Sequence, residues 1–269
     1  MADVITTSGQ RLHVEEQGEG PPVLLLHGWA MSSDALAPLA ERLSARHRTL
    51  RYDLRGHGRS PAAPSATLAA HAHDLVGLME ALGLERVLAV AWSLGAQVLL
   101  RALPAARGRL RGAVLIGATP RFTLCEGWGH GLPARQVELL AQRFRRDPAR
   151  TRARFLADLL APPERERLGA ERLAALDAAM PLPETAAALA GLEILATEDL
   201  RGGLAALDLP TLLLHGEADP ICLPGASEAM ARAIPGARRT TFPGAGHAPF
   251  LTDPDAVAEA ILGFAGQAP

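Results

Sequence analysis

The run Val87-Leu88-Ala89-Val90-Ala91-Trp92-Ser93-Leu94-Gly95-Ala96 constrains the fold of this chain more than any other stretch. An apolar, partly β-branched segment ends at a serine between small residues, and a helix-like run from Gln97 to Leu103 follows at once. Strand, sharp turn and helix in that order need close backbone approach, which Ala91 and Gly95 permit, and leave Ser93 projecting from a strained turn. This is the context of a nucleophilic serine. The usual pattern is G-x-S-x-G, and Ala91 stands where the first glycine would be. Taken alone, Ser93 could be merely a helix N-cap. Partners elsewhere in the chain have to decide.

On either side of this run, strand and helix patterns alternate. Arg11 to Gln17 reads as an edge strand, and Val23 to Leu26 as a strand buried on both faces, ending in His27-Gly28-Trp29. Asp34 to Ala45 fits a helix, Thr49 to Tyr52 a strand, and Thr67 to Leu82 a helix stopped by Gly83. Ala113 to Ile116 and Thr211 to Leu214 are further strands. A helix over Ala226 to Ile234, a strand over Arg238 to Phe242 and a helix over Pro254 to Phe264 complete the chain. Such alternation implies an α/β architecture with a mostly parallel, doubly wound sheet. Between about Arg121 and Thr185 it lapses. Helical runs at Val137 to Phe144, Ala149 to Leu160 and Arg165 to Ala179 are separated by prolines, with no strand signal. The expected organisation is a core over 1–120, an all-helical lid over 121–187, and the rest of the core over 188–269. A lid there would cover the carboxyl edge of the sheet, where ligands bind in such folds.

Composition excludes several functions. All 27 basic residues are arginine, so no lysine is present to serve as a nucleophile, a Schiff base or a P-loop cation. A net charge of −2 carries no nucleic-acid signature. Cys125 and Cys222 lie far apart, which suggests a reducing compartment and no disulfide framework. No signal peptide and no membrane-spanning run is visible, so a soluble, cytoplasmic, monomeric protein is the default expectation. Gly56-His57-Gly58 lacks the third glycine of a dinucleotide fingerprint, and no metal-ligand spacing occurs. No cofactor and no metal are implied.

A nucleophilic serine needs a base, and the base an orienting acid. The tail supplies both, each just beyond a strand. Asp219 lies in His215-Gly-Glu-Ala-Asp-Pro-Ile221, and His247 in Gly244-Ala-Gly-His-Ala-Pro-Phe250. Asp219 could merely open an Asp-Pro turn and His247 could be an ordinary loop residue. Three residues in the order Ser, Asp, His, each at a strand end, argue for a triad. The backbone N–H groups of Leu94 and Trp29 are the natural oxyanion donors, with the Trp29 indole lining an acyl pocket. His27 reads as a loop brace and Asp53 as a structural turn residue. Asp199 has no strand before it, and His71 and His73, two residues apart on a helix, diverge.

From Arg143 to Arg154 six arginines, Arg143, Arg145, Arg146, Arg150, Arg152 and Arg154, face one acid, Asp147. Arg165, Arg167 and Arg172 extend this positive stretch, diluted by Glu164, Glu166 and Glu171. It reads either as a solvated helix face or as a docking surface for an acidic partner.

Leu26-His-Gly-Trp29, Ala91-Trp-Ser-Leu-Gly95, Gly191-Leu-Glu-Ile-Leu-Ala-Thr-Glu-Asp-Leu-Arg201 and Ala248-Pro-Phe250 together resemble the BioH-type pimeloyl-[acyl-carrier protein] methyl ester esterases of biotin synthesis, members of the α/β-hydrolase superfamily. The resemblance runs over nearly the whole chain. It implies a cofactor-free serine carboxylesterase of the α/β-hydrolase fold, acting on an ester carried by an acyl-carrier protein. By matched position it implies Ser93, Asp219 and His247 as the triad, with Trp29 and Leu94 bounding the reacting ester. It further implies substrate contacts from Phe155-Leu156-Ala157-Asp158-Leu159, and carrier-protein docking by Arg150, Arg154 and Arg167. A broad carboxylesterase, a carbon–carbon bond hydrolase, or a non-catalytic binding protein on the same scaffold are the alternatives.

Overall fold

Every residue of the strand Val87–Trp92 is buried, and its side chains alternate between two cores. Val87, Ala89 and Ala91 join one apolar cluster, while Leu88, Val90 and Trp92 join another. The same alternation divides its neighbours: Leu24, Leu26 and Leu115 go to the first cluster, and Val23, Leu25, Val114 and Ile116 to the second. A central strand covered on both faces must therefore be apolar throughout, because no side of it meets water. Each fully buried Val, Leu or Ile contributes about 1.5–3 kcal/mol.

The structure is a computed structural model that describes residues 2–267. Its strands are β1 (Ala2–Ile5), β2 (Arg11–Gln17), β3 (Pro22–Leu26), β4 (Arg48–Tyr52), β5 (Val87–Trp92), β6 (Leu110–Ile116), β7 (Thr211–Gly216) and β8 (Arg238–Phe242). They form one eight-stranded sheet in the order β1-β2-β4-β3-β5-β6-β7-β8. β1 and β2 pair antiparallel, as do β2 and β4, and all the remaining pairs are parallel. This is the mostly parallel α/β sheet expected from the alternation.

Helices α1 (Ala37–Ser44), α2 (Leu68–Ala81) and α3 (Leu94–Ala106) follow β3, β4 and β5 in turn. Between β6 and β7 come α4 (Ala134–Arg146), α5 (Pro148–Asp158), α6 (Pro162–Leu168), α7 (Ala170–Ala179) and α8 (Thr185–Thr197). The chain then adds α9 (Pro224–Ala233), the short α10 (Pro249–Thr252) and α11 (Pro254–Ala265). Leu75, Leu78 and Met79 of α2 and Val98 and Leu99 of α3 cover one sheet face. Leu39 and Leu43 of α1 and Val257 and Ile261 of α11 cover the other.

Several element boundaries differ from the sequence reading. The helix expected over Asp34 to Ala45 begins as a 3-10 turn, Ser33–Leu36, and becomes α-helical only at Ala37, with Pro38 in its first turn. The run Arg165 to Ala179 breaks into α6 and α7 at Gly169, whose φ of +78° no L side chain adopts readily. β1 is an element the sequence did not signal; its four residues are mostly exposed, pair with β2, and reach the core only through Val4. α8 is another: it is apolar around most of its circumference and so shows no 3.6-residue period. Residue 187, taken as the end of the helical insertion, falls inside α8, which runs unbroken to Thr197. Within the insertion, two isolated bridges, Thr123 with Leu132 (parallel) and Cys125 with Trp128 (antiparallel), tie together the loop before α4.

Candidate active site

Ser93 occupies the turn between β5 and α3 at φ +56° and ψ −117°, a conformation strained for any residue but glycine. Its neighbours explain how the turn fits. A Cβ on Gly95 would lie 2.6 Å from the His27 carbonyl oxygen and 2.8 Å from that of Leu26. Glycine is therefore obligatory there, as the helix start abuts the end of β3. Ala91, by contrast, sits within β5 and packs its methyl group into the core with no exposure, so the departure from the usual glycine is accommodated. The Ser93 amide donates to the Ile116 carbonyl at 3.0 Å, fixing the turn to β6. The Trp29 and Leu94 amides donate no hydrogen bond to another described residue. Two backbone donors thus stand free at the mouth of the elbow, beside Gly28, whose added Cβ would come 3.1 Å from the Ser93 Cβ.

Asp219 and His247 meet at the carboxyl ends of β7 and β8. His247 Nδ1 lies 2.8 Å from Asp219 Oδ2, with both side chains fully buried. The other carboxylate oxygen, Oδ1, accepts the amides of Ile221 at 2.8 Å and Cys222 at 2.9 Å. His215 adds a further contact, its Nε2 lying 3.3 Å from Oδ2 while bonding the Cys222 carbonyl at 2.7 Å. Burial alone would raise the Asp219 carboxyl, but the positive character of His247 and the hydrogen bonds from His215 and His247 outweigh it. They hold Asp219 well below the usual carboxylate range, as an anion. The His247 ring packs against Gly117, just after β6, where a Cβ would meet it at 2.9 Å. His247 Nε2 is buried and has no hydrogen-bond partner among the described residues. An imidazole with an oriented Nδ1–H and a free Nε2 can accept a proton from a serine hydroxyl.

Two tryptophans brace this arrangement. Trp29 donates its Nε1–H to the Ala188 carbonyl of α8 at 2.7 Å, and its ring lies edge-on to Phe144 and Phe155 at 5.4 and 4.9 Å. Gly191 makes room for it, since a Cβ there would sit 2.8 Å from Trp29 Cδ1. Trp92, which the sequence did not single out, donates its indole N–H to the His247 carbonyl at 3.0 Å and stacks edge-on to Phe250 at 5.0 Å. His27 bridges two loops, donating from Nδ1 to the Gly28 carbonyl at 2.8 Å and accepting the Leu54 amide on Nε2 at 2.9 Å. Asp53 accepts the Ser33 and Arg59 amides, the structural duty expected of it. Asp199 pairs with Arg201 at 2.7 Å and Arg121 at 3.4 Å, and not with His247.

The run Phe155 to Leu159 divides by position. Phe155, half-buried, reaches Trp29, whereas Leu156 and Leu159 are buried in the cluster with Trp92 and Phe250. Ala157 and Asp158 are partly exposed, and the Asp158 carboxylate pairs with Arg154 and Arg165, each at 3.6 Å. Arg150, Arg154 and Arg167 are exposed. Between α4 and α5 a groove of about 430 Å³ is lined by Arg143, Arg146, Arg150 and Arg154 together with Asp147, Asp158 and Phe155. Arg152 does not belong to this face. It is 4% exposed, and its guanidinium bonds Asp177 Oδ1 at 2.8 Å and the Met180 carbonyl at 2.6 Å, strapping α5 to α7. No helix among the described residues is long and apolar enough to cross a membrane.

The α/β hydrolase fold family matches residues 21–254. Pimeloyl-[acyl-carrier protein] methyl ester esterase of Nitrosomonas europaea is 35% identical over 246 residues, covering 91% of this chain and 95% of that protein. The chain belongs to this esterase family. The pimeloyl-[acyl-carrier protein] methyl ester esterase of Stenotrophomonas maltophilia is likewise 35% identical, over 94% of this chain and 96% of its own length. Among solved structures, an esterase from Exiguobacterium antarcticum superposes with a TM-score of 0.89 at 26% identity, covering 97% of this chain and 98% of that one. A thermophilic esterase from Thermogutta terrifontis matches with a TM-score of 0.86 at 31% identity, covering 99% and 98% of the two chains. The pimeloyl-[acyl-carrier protein] methyl ester esterases and the solved esterases thus share this fold along nearly their full lengths.

Proposed function

We propose that this protein hydrolyses the methyl ester of pimeloyl-[acyl-carrier protein] methyl ester through an acyl-enzyme on Ser93. The observation that carries the proposal is the buried Asp219–His247 pair at 2.8 Å, with Nε2 free, at the same sheet edge as a serine at positive φ. Ser93 Oγ attacks the ester carbonyl carbon as His247 Nε2 takes the hydroxyl proton. The oxyanion is held by the Leu94 and Trp29 amides, each such donor contributing about 2.7–4 kcal/mol in the transition state. Collapse breaks the C–OCH₃ bond, and methanol leaves with the proton from His247. Water, deprotonated by His247, then attacks the acyl-serine and releases the carboxylate with Ser93 regenerated. Asp219 holds the imidazole in one tautomer and stabilises its charge throughout.

The helical insertion serves as a lid. Phe155, touching Trp29 on one side and the arginine-lined groove on the other, links the acyl pocket to the surface. Arg150, Arg154 and Arg167 dock the acidic carrier protein, so that the tethered acyl chain enters beside Phe155. The test is Ser93→Ala. Hydrolysis is expected to collapse while carrier-protein binding survives, and activity persisting in that variant would remove Ser93 from the mechanism.

A further inference from the structure

Glu164 reads from sequence as one more solvated lid charge, yet in the fold it is only 4% exposed. It is the third residue of α6, and its Oε2 reaches back to the Ala161 amide at 2.9 Å, half of a capping box. The same oxygen accepts the Gly246 amide at 2.6 Å, one residue before His247. Its other oxygen, Oε1, accepts the Thr252 hydroxyl at 2.6 Å, five residues beyond. A single carboxylate on the lid therefore grips the histidine loop on both sides. Next to it, the His247 amide donates to the Leu159 carbonyl at 2.6 Å, a second bond from the loop to the end of α5. Contact is close enough that a Cβ on Gly246 would lie 2.4 Å from that Leu159 oxygen and 2.7 Å from the Ala161 nitrogen.

We infer that Glu164 is a positioning residue for His247, making the placement of the base depend on a seated lid. This rests on the reading of His247 as the base. On the sheet side, the loop is held by the Ala218 amide bonded to the Ala245 carbonyl and by the Trp92 indole. On the lid side it is held by Leu159 and Glu164. Without Glu164, the Gly246 and Ala161 amides lose their acceptor, and the loop is free to drift from the register that sets the Nδ1–Asp219 contact. Small misplacements of a catalytic group by about 1 Å reduce rate by as much as about 100-fold. Three donors converge here, which a carboxylate can accept at once. Glutamine can keep the geometry: its carbonyl oxygen takes the two amides, and its NH₂ donates to Thr252 Oγ1, which turns its own proton to the Pro249 carbonyl 3.2 Å away.

The experiment measures kcat and KM for a small aryl ester, and the rate of Ser93 phosphonylation by a small aryl phosphonate, well below each variant's Tm. Wild type must be labelled at Ser93; if it is not, the triad reading fails and takes this inference with it. Given labelling, Glu164→Ala is expected to lower kcat and the phosphonylation rate by about 10- to 100-fold with KM within about twofold. Glu164→Gln is expected to recover to within about threefold of wild type on the same reasoning. A folded Glu164→Ala with wild-type rates, or a Gln variant falling as far as Ala, would overturn the inference. Should Glu164→Ala not fold, Thr252→Val, which removes one of the three donors, is expected to cost kcat alone by a few fold; an unchanged kcat there would also overturn it.

Discussion

Replacing Asp219 by asparagine changes one atom, and the structure dictates which way the new amide must face. Asp219 Oδ1 is fixed by two buried backbone donors, Ile221 at 2.8 Å and Cys222 at 2.9 Å. Turning the NH₂ toward them would leave both amides unpaired, at about 1–3 kcal/mol each. The asparagine oxygen therefore takes the Oδ1 position and its NH₂ faces His247 Nδ1. A donor there forces Nδ1 to accept, so the ring proton moves to Nε2, and that nitrogen can no longer receive the Ser93 proton. Losing the correct tautomer and the negative charge costs about 10⁴ in kcat, or about 5 kcal/mol at 1.36 kcal/mol per tenfold. The assay is steady-state hydrolysis of a small aryl ester, with thermal unfolding near neutral pH to confirm an intact fold. KM should stay within about threefold, because no substrate contact is removed. An Asp219→Asn variant keeping more than about a tenth of wild-type kcat would refute the tautomer argument.

Reversing Arg150 and Arg154 to Glu should raise KM for a carrier-bound ester about tenfold at low salt and spare small free esters, since both side chains are exposed and each surface charge contributes about 1 kcal/mol at most. Equal effects on both substrates, in kinetics run side by side, would point to lid packing instead. Stability should fall on acidification from about pH 6.5, the ordinary histidine value. Burial, then the neighbouring histidine charge, lowers both His57 and His71 to about 3, so each stays neutral in the fold while the unfolded chain binds a proton. The stabilisation is complete above pH 6.5 and lost as pH falls toward 3, reaching about 2 kcal/mol per histidine by pH 5. Neither ring nitrogen of His71 has a hydrogen-bond partner among the described residues, so His71→Leu should fold and flatten this slope in denaturant titrations; an unchanged slope would contradict the assignment.

Much of the fold was legible because its central strands are apolar throughout and its helices mostly keep a period. β5 and the turn at Ser93 announce themselves by composition alone, and Asp219 and His247 by lying just beyond strands in the right order. What the sequence could not give was tertiary environment. Arg152 and Glu164 sit in charged runs that look solvated, yet each is buried by a partner distant in the chain: Asp177 and Met180 for one, Gly246 and Thr252 for the other. His215 reads only as the start of the segment carrying Asp219, yet it lies in β7 and comes to within 3.3 Å of Asp219. Trp92 reads as core, and its indole bond to His247 spans 155 residues. α8 and β1 escaped for opposite reasons, one having too little polarity to show a face and the other too little apolar content to show a core.

The central claim is best tested by comparing kcat/KM for pimeloyl-carrier-protein methyl ester with that for a small free methyl ester, at low and high salt. Exposed arginines steering an acidic carrier predict a strong preference for the carrier substrate that fades as salt screens them over about 10 Å or less. Comparable rates on the two esters, indifferent to salt, would contradict it and leave a general esterase.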